Sequence, residues 1–213
     1  MAKRFGAWAR NKTRAGNGPS QEKEPSRSKL LPRFLAPPSS ASTYIEATNK
    51  AGNGPLHHAA ATGNTKIIDM LVKEGANLEA ANRMGERPLH TAAARNSLSA
   101  VQLLINQGTK TDCRDGEGKT PLHVAAEYGR SEILQYLLEI KGDMNLQDQR
   151  GMSPLHYAVM GSQTVVGILL GAGADPFLRT NDGDTPYDLA IHMGRDAAVR
   201  RFHWEDNFMR DNV

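Results

Sequence analysis

Four histidines, His57, His90, His123 and His156, stand in one register, each 33 residues from the next. A column of imidazoles can bind metal, move protons or hydrogen-bond to backbone. The interval argues against zinc. Helices stacked at such a period lie about 8–10 Å apart, whereas zinc draws its ligands to about 2 Å. A bond from each imidazole to the backbone of a neighbouring turn is the reading that survives, and His58 adds a neighbour without making a cluster.

Two other stretches hold residue types with chemistry in them. "NDGDTPYD" (181–188) resembles a calcium loop only loosely: counted from Asp182, its sixth position is Tyr187 rather than Gly and its twelfth is Met193 rather than Glu. The lone cysteine, Cys113, precedes Arg114 and Asp115 near a hairpin; no residue is placed by the sequence to activate it as a nucleophile, and it reads as a small, partly buried filler. No GxSxG, no glycine-rich phosphate loop with its lysine and no HExxH occurs. Nothing here points to an enzyme, a cofactor or a metal.

The elements that position the histidines emerge from self-similarity. "GPLHHAA" begins at Gly54, "RPLHTAA" at Arg87, "TPLHVAA" at Thr120 and "SPLHYAV" at Ser153; a weaker fifth copy, "TPYDLAI", begins at Thr185. Pro55, Pro88, Pro121 and Pro154 are 33 apart and Pro186 follows 32 on, which places a one-residue deficit between Pro154 and Gly161, in a first helix one position short. Proline suits the first turn of a helix, where its missing N–H has no partner anyway. Thr120, Ser153 and Thr185 precede it as helix caps, and Gly54 and Arg87 break that pattern, so the first two units should be less firmly capped. Gly63, Gly129, Gly161 and Gly194, with Asn96 in the same slot, should end these helices in a left-handed conformation.

Second helices follow in "TKIIDMLVKEG", "LSAVQLLINQG", "SEILQYLLEIKG" and "QTVVGILLGAG", with apolar residues at helical spacing: Ile67, Ile68 and Leu71, then Val101 and Leu104, then Ile133, Leu134 and Leu137. Such short helices are marginal alone. Stacking would bury Leu56, Leu89, Leu122 and Leu155 between units, each contributing roughly 1.5–3 kcal/mol, and five units exceed the three or so that stacking requires.

These five copies resemble the ankyrin repeat, whose pattern is a hairpin turn, a T-P-L-H helix start and a second helix. The fold read from them is an all-α repeat solenoid of helix pairs joined by β-hairpin-like loops. Its units run over about 49–81, 82–114, 115–147, 148–179 and 180–213, within a domain from 44 to 213. The arm "YIEATNKAGNG" (44–54) aligns with "NLEAANRMGER" (77–87), and the charged end "RDAAVRRFHWEDNFMRDNV" reads as a terminal cap.

Charge divides the chain. Residues 1–43 hold nine Lys or Arg against two Glu, within an overall net charge of +3, so the remainder is net negative. This tail is rich in Pro and Ser and reads as disordered. "AGNGP" occurs in it at 15–19 and again at 51–55, but the first copy has no L-H-A-A behind it and is an echo rather than a repeat. "SKLLPRFLAPP" (28–38) could dock a partner. The basic start could also solubilise the chain, address a nucleus, attract nucleic acid or serve as an organelle presequence. No apolar run reaches the ~20 residues of a membrane span, and a single cysteine fits a reducing compartment. The expected setting is intracellular, in cytoplasm or nucleus, and the expected state a monomer.

The resemblance implies that hairpin tips and first helices line a concave surface on which another protein docks. Carried across position by position, it assigns Arg83, Met84, Glu86, Arg95, Arg114, Glu117, Lys119, Glu127, Tyr128, Arg150, Met152, Met160 and Arg179 to partner binding, with Lys50, Asp182, Asp184, His192 and Met193 at the margins. Recurrent arginines among methionines and a tyrosine fit an acidic peptide or loop with apolar anchors. The same residues also fit ordinary solvated tips, with arginines paired to Glu86, Glu117 and Glu127. Both readings stand at this point. The function expected is that of a non-enzymatic adaptor, scaffold or inhibitor; the alternative is a nucleic-acid-associated regulator that uses its basic tail.

Overall fold

The structure, a computed structural model, describes residues 44–202. Helices alternate in pairs: α1 (Pro55–Thr62) and α2 (Thr65–Lys73), α3 (Pro88–Ala94) and α4 (Leu98–Asn106), α5 (Pro121–Glu127) and α6 (Ser131–Glu139), α7 (Pro154–Gly161) and α8 (Gln163–Gly171), then α9 (Pro186–His192) and a helical segment over 196–202. Every first helix opens on its proline. No strand forms among the described residues. The expectations for the tail, for "LLPRFL" and for the end of the terminal cap fall on residues 1–43 and 203–213, outside the described residues.

A hairpin turn precedes each first helix and repeats with the sequence. Asn82 N–H donates to Glu86 O at 2.9 Å, Asp115 N–H to Lys119 O at 2.9 Å, Asp148 N–H to Met152 O at 2.9 Å and Thr180 N–H to Asp184 O at 2.9 Å. Successive tips are stitched by one backbone bond each: Arg83 N–H to Ala51 O, Gly116 to Met84, Gln149 to Glu117 and Asn181 to Arg150, at 2.8–3.1 Å. The polar backbone of these loops is thereby satisfied without a sheet.

Apolar columns run through the stack. Leu56, Leu89, Leu122 and Leu155 are buried, beside paired small residues such as Ala92–Ala93 and Ala125–Ala126 that let first helices approach closely. Ile68, Val101, Leu134 and Val166 form the matching column on the second helices. Ile67 departs from expectation. Its equivalents Ala100, Ile133 and Val165 are fully buried, but Ile67 is 44% exposed because no described unit precedes it.

Two turns also differ from the sequence reading. Gly63, Asn96, Gly129 and Gly194 are left-handed, with φ between 61° and 69°, but Gly161 is not. It is the last helical residue of α7, and Ser162 (φ −142°, ψ 122°) closes α7 and opens α8 at once. The missing residue of the fourth unit is therefore taken from the turn, not from the first helix. Gly161 serves a different end: a Cβ there would lie 2.5 Å from the Glu127 carbonyl oxygen. The third unit has its own irregularity. Where Gly75, Gly108 and Gly173 end the other second helices with positive φ, Lys141 does so at φ 64°.

Candidate functional site

The histidine column is a scaffold of bonds between units. In His57, His90, His123 and His156, Nδ1 accepts the backbone N–H of the residue preceding the helix, at 3.3, 3.2, 3.1 and 3.0 Å. Nε2 donates to the next hairpin, onto Glu86 O, Lys119 O, Met152 O and Asp184 O at 3.0–3.2 Å. An N–H facing Nδ1 and a carbonyl facing Nε2 fix one neutral tautomer. Burial lowers the pKa of His90, His123 and His156, with His123 pulled down to about 4. Among the described residues no three His, Cys, Asp or Glu side chains converge as a metal site requires.

This geometry corrects the capping expectation. The Thr120 and Ser153 hydroxyls lie 2.8 Å from Nδ1 of His123 and His156 and donate there, rather than accepting a helical N–H. Only Thr185 caps as expected, accepting from Asp188 N at 3.1 Å while the Asp188 carboxylate takes the Thr185 N–H at 3.0 Å. "NDGDTPYD" is thus a hairpin tip followed by a reciprocal cap. In the second unit Arg87 supplies no hydroxyl, and the buried Cys113 thiol lies 3.8 Å from His90 Nδ1 in its stead. Burial pushes that thiol up to about 12, which keeps it protonated and unreactive.

Tip side chains reach across the first helices, so both share one face. Lys119, expected at a contact surface, is buried there: its ammonium lies 2.9 Å from Glu117, 3.0 Å from Glu127 and 4.8 Å from the centre of the Tyr157 ring. Arg150 is exposed but donates to the Tyr157 hydroxyl, which itself donates to Asp148 at 2.7 Å. Arg114 donates to Gly118 O and Gln147 O at 2.8 Å, and Gln147 donates to Gly151 O and Arg179 O, so this column ties each tip to the next. Arg179 donates to Gly183 O at 2.6 Å and stands 3.9 Å from Asp188. Glu86 accepts from Asn82 at 2.7 Å. Met152 is core, only 7% exposed, and Met160 is half-buried against that core; neither offers the open thioether expected of it.

Four of the expected residues remain open. Arg83 and Arg95 are exposed and make no side-chain bond or ion pair among the described residues. Met84 is 66% exposed and Tyr128 54%, the latter under the Arg130 guanidinium at 5.9 Å. Arg95 and Tyr128 occupy the same position, at the ends of the first helices of successive units, and Arg83 and Met84 sit on the tip of the second unit. Sequence reasoning missed the groups that hold the tips: the carboxamide or carboxylate of Asn49, Asn82, Asp115 and Asp148, each accepting two N–H groups of its own turn. Their 33-residue spacing is the signal that could have found them.

A family profile described as "Ankyrin repeats (3 copies)" matches residues 28–115, 92–180 and 141–203, so the match begins ahead of the described residues. A search of curated proteins finds no match. No helix among the described residues is long and apolar enough to cross a membrane.

Proposed function

Since the chain belongs to the ankyrin-repeat family, whose members are generally protein–protein interaction modules, we propose that it acts without catalysis, by docking another protein on the face shared by hairpin tips and first helices. It serves as an adaptor, scaffold or inhibitor of that partner. The observation that carries this reading is the contrast on that face. Lys119, Arg114, Arg150 and Arg179 are engaged with groups of the scaffold, while Arg83, Arg95, Met84 and Tyr128 are exposed together over the second and third units. Unspent guanidinium groups beside a thioether and a phenol suit an acidic loop with an apolar anchor. The test is charge reversal of Arg83 and Arg95 together in the full chain. Partner capture should fall at least tenfold while the unfolding midpoint holds; undiminished capture would place the contact elsewhere.

A second reading rests on the nine Lys or Arg of residues 1–43. Under it the chain associates with nucleic acid through phosphate contacts, and binding to a DNA or RNA duplex falls steeply with salt. Deleting residues 1–43 should abolish such binding; salt-independent binding that survives the deletion rules this reading out.

A further inference from the structure

The docking face carries opposite unspent charge at its two ends. In the first two units Lys50, Arg83 and Arg95 are exposed and have no partner among the described residues. Beside them on that face Arg87 pairs with Glu79 at 3.0 Å, and the Glu86 carboxylate accepts from Asn82. In the middle, the cations and acids of the third and fourth units pair with one another, Lys119 with Glu117 and Glu127, and Arg150 with Asp148 and the Tyr157 hydroxyl. At the far end the sign inverts. The fifth unit presents Asp182, exposed and without a partner, beside Asp184 and Asp188; only Arg179, on Asp188 and Gly183 O, and His192, 3.8 Å from Asp184, stand against them. Arg195 lies in the following turn, its guanidinium on the Met160 carbonyl. Exposed Met84 and Tyr128 lie next to the cationic end, and exposed Met193 beside the acidic end.

We infer that the partner segment is itself charge-polarised and lies across the units in one sense, with its acidic end over the first two and its basic end over the fifth. This rests on the reading of that face as the docking surface. Unit spacing fixes the segment's length. With stacked helices about 10 Å apart, the tips of the second and fifth units stand about 30 Å apart, the reach of roughly nine residues of extended chain. An apolar residue about three positions from the acids would meet Met84 and Tyr128. A uniformly acidic segment meets Asp182 and is repelled there, so the arrangement selects against the partners that cationic residues alone would admit.

Synthetic peptides bound to the full chain test this. The first probe carries two Asp, a Leu three positions on and a Lys nine positions from the acids; the second replaces that Lys with Glu. Wild type should prefer the first about fivefold, the effect of one exposed ion pair. Asp182→Lys should invert the preference, and Arg83→Glu with Arg95→Glu should weaken both probes at least tenfold. A benzophenone at the basic end of the first probe should label the 179–184 tip, and at the acidic end the 82–86 tip. If the double charge reversal abolishes binding but Asp182→Lys changes neither probe, or if the labels land on the opposite tips, the polarity is wrong while the docking face stands. Indifference of both probes to both variants removes the polarity and the docking face together.

Discussion

At the scale of single residues, the imidazoles set how the fold responds to acid. Nδ1 of each column histidine already accepts an N–H, so a second proton would face a donor. Burial holds His123 near 4, against about 6.5 in the unfolded chain. The unfolded chain therefore takes up protons that the folded one refuses, and stability is complete above about pH 6.5 and lost as pH falls toward 4. His123 alone should cost on the order of 2 kcal/mol at pH 5, with His90 and His156 acting in the same direction. Urea unfolding at pH 7.5 and 5 reads this directly; equal midpoints would mean that the imidazoles are accessible to protons in the folded state. Lys141 offers a gain. Its left-handed backbone costs a side-chain-bearing residue about 1–2 kcal/mol, so Lys141→Gly should stabilise the fold by about 1 kcal/mol, read as a higher urea midpoint; an unchanged or lower midpoint would contradict it. The histidine bonds were legible in the sequence as a period with no room for a metal. The thiol beside His90 was not, because Cys113 lies 23 residues away and only the stacking of hairpin on helix brings them together.

At the scale of elements, one pattern of residues conceals two kinds of helix start. Thr120, Ser153 and Thr185 hold the same position before a proline, yet only Thr185 accepts a helical N–H. The difference is made three residues on. An imidazole there offers Nδ1, and the hydroxyl turns to donate to it; the Asp188 carboxylate takes the N–H and hydroxyl of Thr185 and leaves its oxygen aimed at Asp188 N. Thr185→Ala should cost about 1 kcal/mol and accelerate amide exchange at Asp188. Thr120→Ala should leave the His123 amide as it was; accelerated exchange there would show that the hydroxyl does cap α5. First-helix starts were readable from the prolines, and three of the four first-helix ends that have a left-handed residue from their glycines, with Asn96 as the fourth. Which residue gave way in the short fourth unit was not, because the choice between helix and turn depends on Gly161 packing against the Glu127 carbonyl one unit away.

At the scale of the molecule, first helix meets first helix and second meets second in successive units, so the stack presents a periodic face. Periodicity told which residues belong to that face but not which are free on it. Lys119 and Arg83 look alike in the sequence; Lys119 is drawn inside by two glutamates and the Tyr157 ring, while Arg83 has none of these near it. At the first unit the column on the second helices is left open, with Ile67 and Met70 exposed where internal equivalents pack. Those two residues also serve as an internal control for docking, being apolar, exposed and remote from the tips. The measurement that bears most directly on the central claim is site-specific photo-crosslinking of the full chain, with the crosslinker at Met84 in one sample and at Met70 in another. The docking face predicts a protein adduct at Met84 that vanishes when Arg83 and Arg95 are both changed to Glu, and none of that adduct at Met70. The same adduct formed from Met70, or one at Met84 that survives the charge reversal, would contradict it.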